Sequence, residues 1–471
     1  MKFYCNIENF TADIAEVIRA FTPRALEEEG GGELFLQILQ HKDNSAVITL
    51  TFQGEKGRQT SEKTLGSAEF SDPLEQTRRV KRAAKVLVYD FMSAHCGATL
   101  PYGSLTGVRP TKLFHDLTAR GEDAFALFTR DLRVSEDKAK LIQSVCRAQQ
   151  GLKRERNDSA DIFVNIPFCT TRCSYCSFIS AEIGRVKRFI PAYVELLVKE
   201  IEAAREIIRE RGFTLRAVYV GGGTPTSLSD EDFARVLGAL KGLDAEFTVE
   251  AGRPDTICAS KLDIMDKTGV TRISVNPQSL NDKTIALIGR KHTAKDFFRA
   301  YDLARKYPFD VNCDLIAGLP GEDEADFARS ADGVFRLLPD NVTVHTLALK
   351  KGSGLKLAGF DNSSGATAGM VDYARALAEG RGYIPYYMYR QKYMSGNLEN
   401  AGYCLPGKQC LYNIDVMEEC ANIIACGAGG ISKLYLPEQN RLERLADPKG
   451  LDVYLERGER LIAAKRAFFG L

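Results

Sequence analysis

Six short runs rich in β-branched and aromatic residues follow one another between Asp161 and Leu349: DIFVNI, RAVYVGG, EFTVEAG, TRISVNP, DVNCDLIAG and NVTVHTLAL, about 25 to 55 residues apart. Each gap has room for a helix, and successive β-helix units of one hand build a parallel sheet. The first gap carries the clearest helical stripe, with Phe189, Tyr193, Leu196, Leu197, Ile201, Ala204 and Ile208 on one face. A sheet of this kind curls into a full or partial barrel whose chemistry sits at the C-terminal ends of the strands. The loop after the first run, the glycine turn after the second and the polar ends of the third to fifth are therefore expected around one mouth.

The flanks differ in rhythm. Residues 1–155 read as an α/β unit, with strands at ELFLQILQ and SAVITLTF and helices at EQTRRVKRAAKVLVYDFMSA and SEDKAKLIQSVCRAQQGL. The polar stretch KRERNDSAD reads as a linker. Arg78, Arg79, Lys81, Arg82 and Lys85 form a basic run whose helical spacing predicts a solvated face rather than an anion patch. Residues 354–471 combine a helix at TAGMVDYARALAEGRG, an aromatic strand IPYYMYRQKYM, a glycine-rich loop and a terminal amphipathic helix. The expected class is α/β: a partial (β/α)6 barrel over 156–353, an N-terminal α/β domain and a C-terminal substrate cap.

At 471 residues the chain can bury a large core, and its 63 Lys and Arg nearly cancel its 62 Asp and Glu. No global field points to nucleic acid or an anionic membrane, so any anion site must be local. The N-terminus lacks the apolar block of a signal peptide and no apolar run is long enough for a membrane span, which predicts a cytoplasmic protein. Twelve cysteines in such a chain suggest reduced thiols and metal ligation.

Three of those cysteines, Cys169, Cys173 and Cys176, fall within eight residues directly after the first strand. A structural zinc site wants four ligands, usually from paired C-x2-C units. C-x3-C-x2-C instead suits a 4Fe-4S cluster held at three irons, the fourth left open to the amino and carboxylate groups of S-adenosylmethionine. Electron transfer from such a cluster cleaves the sulfonium to a hydrogen-abstracting 5'-deoxyadenosyl radical, which no side chain can supply. After the second strand, Gly221, Gly222 and Gly223 permit close backbone approach to a methionine amino group, with Thr224 beside them. Glu250, Gln278, Arg290 and Asp314 at later strand ends offer a basic partner for a carboxylate and acceptors for hydroxyls.

Together, NIPFCTTRCSYCSF, GGGTPTSL, TRISVNPQSLNDKTIALIGRKHT and VNCDLIAGLPGE resemble the radical S-adenosylmethionine enzymes of the oxygen-independent coproporphyrinogen III dehydrogenase family (HemN-like). LPYGSLTGVRPTKL, YYMYRQKYMSGNLENAGY and YNIDVMEECANIIACGAGGISK are similar to its HemZ branch, and the resemblance spans roughly residues 100 to 435. It implies a radical-SAM barrel holding one or two S-adenosylmethionine molecules. It implies oxidative decarboxylation of two coproporphyrinogen III propionates to vinyl groups, giving protoporphyrinogen IX in anaerobic haem synthesis. It implies reduced flavodoxin or ferredoxin as electron donor, with neither nucleic acid nor a membrane span involved. Carried over, Cys169, Cys173 and Cys176 ligate the cluster, while Phe163, Gly222, Gly223, Thr224, Glu250, Gln278, Arg290 and Asp314 contact S-adenosylmethionine.

Two positions depart from the family pattern: Phe163 replaces a usual Tyr and loses a hydroxyl bond, and Asn165 stands where His is common. Arg253, Arg390, Lys392 and Lys408 are candidate partners for propionates, and Tyr386, Tyr387, Tyr389 and Tyr393 offer aromatic surface. His345 reads either as a supporting group or as a core histidine. The irregular spacing of Cys404, Cys410, Cys420 and Cys426 favours buried thiols over a second cluster. A haem-binding chaperone and a radical tetrapyrrole methyltransferase on the same fold stay open as alternatives.

Overall fold

The computed structural model describes the chain apart from residues 23–31, 56, 70–72, 155–156, 178–180, 351, 361–364, 393 and 440. The chain divides into two compact units, residues 1–143 and 144–471, and the helix Glu136–Ala148 spans the boundary.

In the first unit β1 (Lys2–Cys5), β2 (Glu33–Gln40), β3 (Ala46–Gly54) and β4 (Gly57–Leu65) pair in that order, β1 parallel to β2 and the others antiparallel. Alternation in β2 turns Leu34, Leu36 and Ile38 onto a core shared with Ile14 and Val17 of the helix Glu8–Phe21 and with Val80, Ala84 and Val88 of the helix Pro73–Cys96. The polar β4 carries no apolar alternation, so only pairing with β3 marks it as a strand. The basic run is a satisfied helix face: Arg78 and Arg82 pair with Glu75, and Lys81 meets Asp13 at 2.6 Å.

The second unit is built on β5 (Ser159–Ile166), β6 (Thr214–Gly222), β7 (Glu246–Val249), β8 (Arg272–Ser274), β9 (Asp310–Ala317) and β10 (Asn341–Thr346). All six run parallel and in chain order. Their near-continuous burial is that of strands covered on both faces. The helix Ile190–Arg211 starts one residue later than its stripe suggests, so Ile190 and Ile207 are buried where Phe189 and Ile208 are only half-buried.

Residues beyond the sixth strand extend this sheet at both edges. β11 (Ile384–Tyr389) and β12 (Asn400–Cys404) add antiparallel strands beside β10, while β13 (Asn422–Cys426) runs parallel to β5 and leads into β14 (Ile431–Leu436) and β15 (Arg441–Ala446). The result is an eleven-stranded sheet to which the C-terminal region contributes five strands. The polar stretch 153–161 is shorter as a linker than its composition suggests. β5 already begins at Ser159, and Asp161 is fully buried, accepting the Ala217 N–H at 3.1 Å.

Candidate active site

At the C-terminal ends of the parallel strands lies a cavity of about 610 Å³. Its wall includes Cys169, Cys173, Cys176, Phe163, Gly222, Gly223, Thr224, Glu250, Gln278, Arg290 and Asp314. Eleven positions dispersed over 152 residues thus face one space, because successive parallel strands deliver their ends to one side of the sheet.

The cysteine loop is anchored by backbone rather than by a core. Phe168–Cys169 pairs with Ala181–Glu182, the Ser174 N–H donates to Ile288 O at 3.0 Å, and the Leu355 N–H donates to Ser174 O at 2.9 Å. Arg253, buried, donates to Thr171 O at 2.8 Å and to Thr171 Oγ1 at 2.7 Å, with Nη1 lying 3.9 Å from Cys173 Sγ. Thr224 Oγ1 approaches Cys169 Sγ at 3.5 Å.

The glycine turn is docked on the same loop: Gly223 N–H donates to Ile166 O at 2.8 Å and Thr224 N–H to Phe168 O at 2.7 Å. Gly222 has φ +104° and a Cβ there would overlap Asn165 Oδ1; a Cβ on Gly223 would come within 2.5 Å of Phe168 O. Only glycine meets both demands. Asn165, in the place of a family histidine, donates to Ala428 O and so ties β5 to the loop after β13.

Glu250 follows β7 and accepts a hydrogen bond from the Tyr219 hydroxyl. Burial pushes its carboxyl up to about 7, the Tyr219 bond acting against this and the nearby Asp314 charge adding to it. Asp314 lies within β9 rather than at its end. Burial there favours the neutral acid, but hydrogen bonds from His345, Asn312 and Thr343 outweigh it and hold Asp314 below its usual value. Gln278, in the loop after β8, takes left-handed backbone at φ +65°. Arg290 is placed by the turn after the short helix Asp282–Leu287, not by a strand end, and donates to Asn276 O at 2.6 Å.

Two buried groups in this wall, Gln278 Oε1 and Arg290 Nε, have no hydrogen-bond partner among the described residues. An unmet buried acceptor and donor cost about 1–3 kcal/mol each, a cost that a polar ligand would remove. Among the described residues no three His, Cys, Asp or Glu side chains converge on a point for one ion. Three thiols spread along one loop suit a multi-iron cluster with one thiolate per iron. The glycine cradle, the unmet acceptor and donor, and the three-thiol set fit a 4Fe-4S cluster with S-adenosylmethionine.

Of the proposed propionate partners, Arg253 lines the cavity, whereas Lys408 pairs with Asp310 and Asp340 at the opposite, N-terminal ends of the strands. Arg390 is buried and donates to Asn397 O at 2.9 Å, and neither it nor Lys392 reaches the cavity wall. Tyr387 and Tyr389 line the wall, Tyr386 turns its hydroxyl to Asn413, and Tyr393 lies outside the described residues. Cys404, Cys410, Cys420 and Cys426 are all buried; burial pushes Cys404 up to about 12 and the other three higher still. His345 also lines the wall, 3.7 Å from Asp314 Oδ2 and 3.4 Å from the Tyr389 hydroxyl.

The sequence reading missed Tyr219, Asn276, Tyr412, Lys350 and Lys433, all of which line the cavity. Tyr219 and Asn276 had a signal, since each stands within two residues of a candidate already chosen. Lys433 had none, because it reaches the wall only through β14.

Residues 164–333 match the radical SAM superfamily. The chain is 37% identical over 410 residues, 82% of its length and 80% of the relative's, to the oxygen-independent coproporphyrinogen-III oxidase-like protein HemZ of Bacillus subtilis (strain 168). It is 32% identical over 195 residues, 40% of its length and 50% of the relative's, to the heme chaperone HemW of the same organism. The solved structure of coproporphyrinogen III oxidase (HemN) from Escherichia coli superposes with a TM-score of 0.52 at 20% identity, covering 67% of this chain and 73% of that one, and has the same fold.

Proposed function

The chain belongs to the HemZ-like, HemN-related radical S-adenosylmethionine enzymes, and from that premise we propose that it decarboxylates propionate side chains of coproporphyrinogen III to vinyl groups. The observation that carries this reading is the single cavity. It joins the three-cysteine loop to a chamber lined by Tyr387, Tyr389 and Tyr412 and by the cations Lys350 and Lys433. Aromatic rings suit a tetrapyrrole face and cations suit its carboxylates. The likeness to HemZ supports the choice, because it runs along 82% of the chain against 40% for HemW of the same organism.

In this reading Cys169, Cys173 and Cys176 hold the cluster, and the cradle of Gly222, Gly223 and Thr224 holds the methionine end of S-adenosylmethionine. When bound, these groups supply a radical that takes a hydrogen atom from an unactivated carbon. Arg290 faces the ligand carboxylate, Gln278 offers its unmet acceptor, and ionised Asp314 accepts from ribose hydroxyls. Phe163 stacks in line with Tyr412 and Tyr219, ring centroids 6.0 and 6.3 Å away, and gives an apolar flank where relatives carry a hydroxyl. The substrate propionate loses one β-hydrogen, carbon dioxide and one electron to become a vinyl group, the electron leaving to an external acceptor. Lys350 and Lys433 orient the carboxylates that remain.

The test is an anaerobic incubation of iron-reconstituted protein with S-adenosylmethionine, a strong reductant and coproporphyrinogen III, following 5'-deoxyadenosine and tetrapyrrole mass together. Loss of carbon dioxide in step with 5'-deoxyadenosine, abolished by Cys173→Ala, is the expected result. Nucleoside formation with unchanged tetrapyrrole would overturn the proposal, and a mass gain of one methyl group with S-adenosylhomocysteine would replace it with methyl transfer.

A further inference from the structure

A second crevice opens behind the cysteine loop, lined by Pro167, Val186, Arg188, Phe189, Lys449 and Leu451 among others. Pro167 lies two residues before Cys169, at most about 7.6 Å along the Cα trace. The Ala181 N–H, also in the crevice wall, donates to Pro167 O at 2.8 Å and Ala181 pairs with Phe168 across the short ladder that holds Cys169. Pro167 is absent from the wall of the large cavity. The crevice therefore approaches the cysteine loop without passing through the substrate chamber.

Its rim is predominantly basic. The segment Arg185–Phe189 carries three cations and no acid, and Lys449 adds a fourth from the facing loop. Arg185 pairs with Glu182 at 2.8 Å, and Asp452 is the acid in the crevice wall. Counting all six charges leaves an excess of two positive charges here, in a chain whose net charge is +1 overall. Arg185, Lys187, Arg188 and Lys449 are exposed around a half-buried floor of Val186, Phe189 and Leu451. An apolar centre with a basic rim suits a weak encounter with an acidic protein, steered by charge and quickly released.

We propose that this crevice is the docking surface for a small acidic protein that delivers one electron at a time to the cysteine loop. It rests on Cys169, Cys173 and Cys176 being the cluster site and is independent of which tetrapyrrole is the substrate. One electron leaves the reduced carrier and one enters the cluster; no proton or bond changes hands. Electron transfer falls steeply with distance, and Pro167 brings a seated carrier within a few residues of a ligand cysteine.

The experiment uses the reconstituted full-length protein and reduced flavodoxin as the probe. It reads the dissociation constant at about 50 and 200 mM salt and the rate of cluster bleaching by flavodoxin and by dithionite, in wild type and in the double variant Arg188→Glu, Lys449→Glu. The expected result is binding that weakens with salt, with bleaching by flavodoxin slowed about tenfold or more in the double variant. Dithionite, which needs no docking surface, should bleach both proteins at equal rates. The milder Lys187→Gln variant should lie between, which separates lost charge from misfolding. Equal rates with flavodoxin in all three proteins, or affinity indifferent to salt, would overturn the proposal. A wild-type protein that dithionite fails to bleach would remove the cluster assignment and the docking surface with it, whereas failure of the tetrapyrrole assay alone would leave both standing.

Discussion

At the scale of single residues, Glu250 is where electrostatics and ligand binding meet. Its buried carboxyl titrates at about 7, burial being the main cause and the Tyr219 hydroxyl the main counterweight. In the proposed site the ionised form binds the ligand, so S-adenosylmethionine affinity should rise with pH through about 7. Tyr219→Phe removes a bond that favours the carboxylate, so the midpoint should move to higher pH; equilibrium binding across pH 5.5 to about 8.5 reads it. A midpoint unmoved by the substitution would mean that Glu250 does not set the affinity. Some of this was legible beforehand, since Glu250 stands near the end of a β run and Tyr219 two residues before the glycines. The pairing was not legible, because Tyr219 and Glu250 stand 31 residues apart and meet only when β6 and β7 lie side by side.

At the scale of elements, the C-terminal helix Glu459–Phe468 is fastened by a charge cluster rather than by an apolar seam alone. Lys465 Nζ lies 2.6 Å from Glu200 Oε1 and 2.9 Å from Asp447 Oδ2, with all three side chains buried. Glu200 also accepts the Gly427 N–H at 2.7 Å, in the loop that meets Asn165 beside the cavity. Lys465→Met leaves two buried acids facing each other, and removing one partner of a buried pair costs about 3–5 kcal/mol. Urea unfolding should show that loss at neutral pH; a change below about 1 kcal/mol would mean that water reaches and solvates the cluster. Burial holds the Asp447 carboxyl up at about 6, the Lys465 charge opposing it. With the opposing Lys465 charge removed, the Asp447 carboxyl of the variant is held above that value, so the stability tied to it should be lost as pH rises through and beyond about 6 and recovered in acid. Charge at this helix was readable as amphipathicity, but nothing local marked Lys465 as an inward-facing residue.

At the scale of the whole molecule, every residue of the cavity wall belongs to residues 144–471. A fragment beginning at Ser135, which keeps the helix Glu136–Ala148 intact, should therefore reconstitute iron and bind S-adenosylmethionine with about wild-type stoichiometry. Iron and sulfide content and the visible absorbance of the reconstituted fragment check this; an insoluble or iron-free fragment would assign the first unit a folding role. The sequence by itself determined what is local. Three thiolates with three- and two-residue spacers, a glycine run at a strand end and six β runs with helix-length gaps act within a few residues, so spacing alone specifies their geometry. The tertiary structure alone decided what depends on strand order. β13 pairs with β5 across 262 residues and brings the strand that carries Lys433 to the cavity, while Lys408 is carried to the opposite end of the strands. Asp161, read both as the end of the linker and as the start of the first β run, is a buried strand residue opposite Ala217 and beside the charge of Asp415. Side-chain chemistry travels with the sequence, but which end of a strand a side chain reaches, and which distant strand lies against it, is set by sheet pairing. Pairing in turn is selected by burial summed over the whole core, which no short stretch of residues contains.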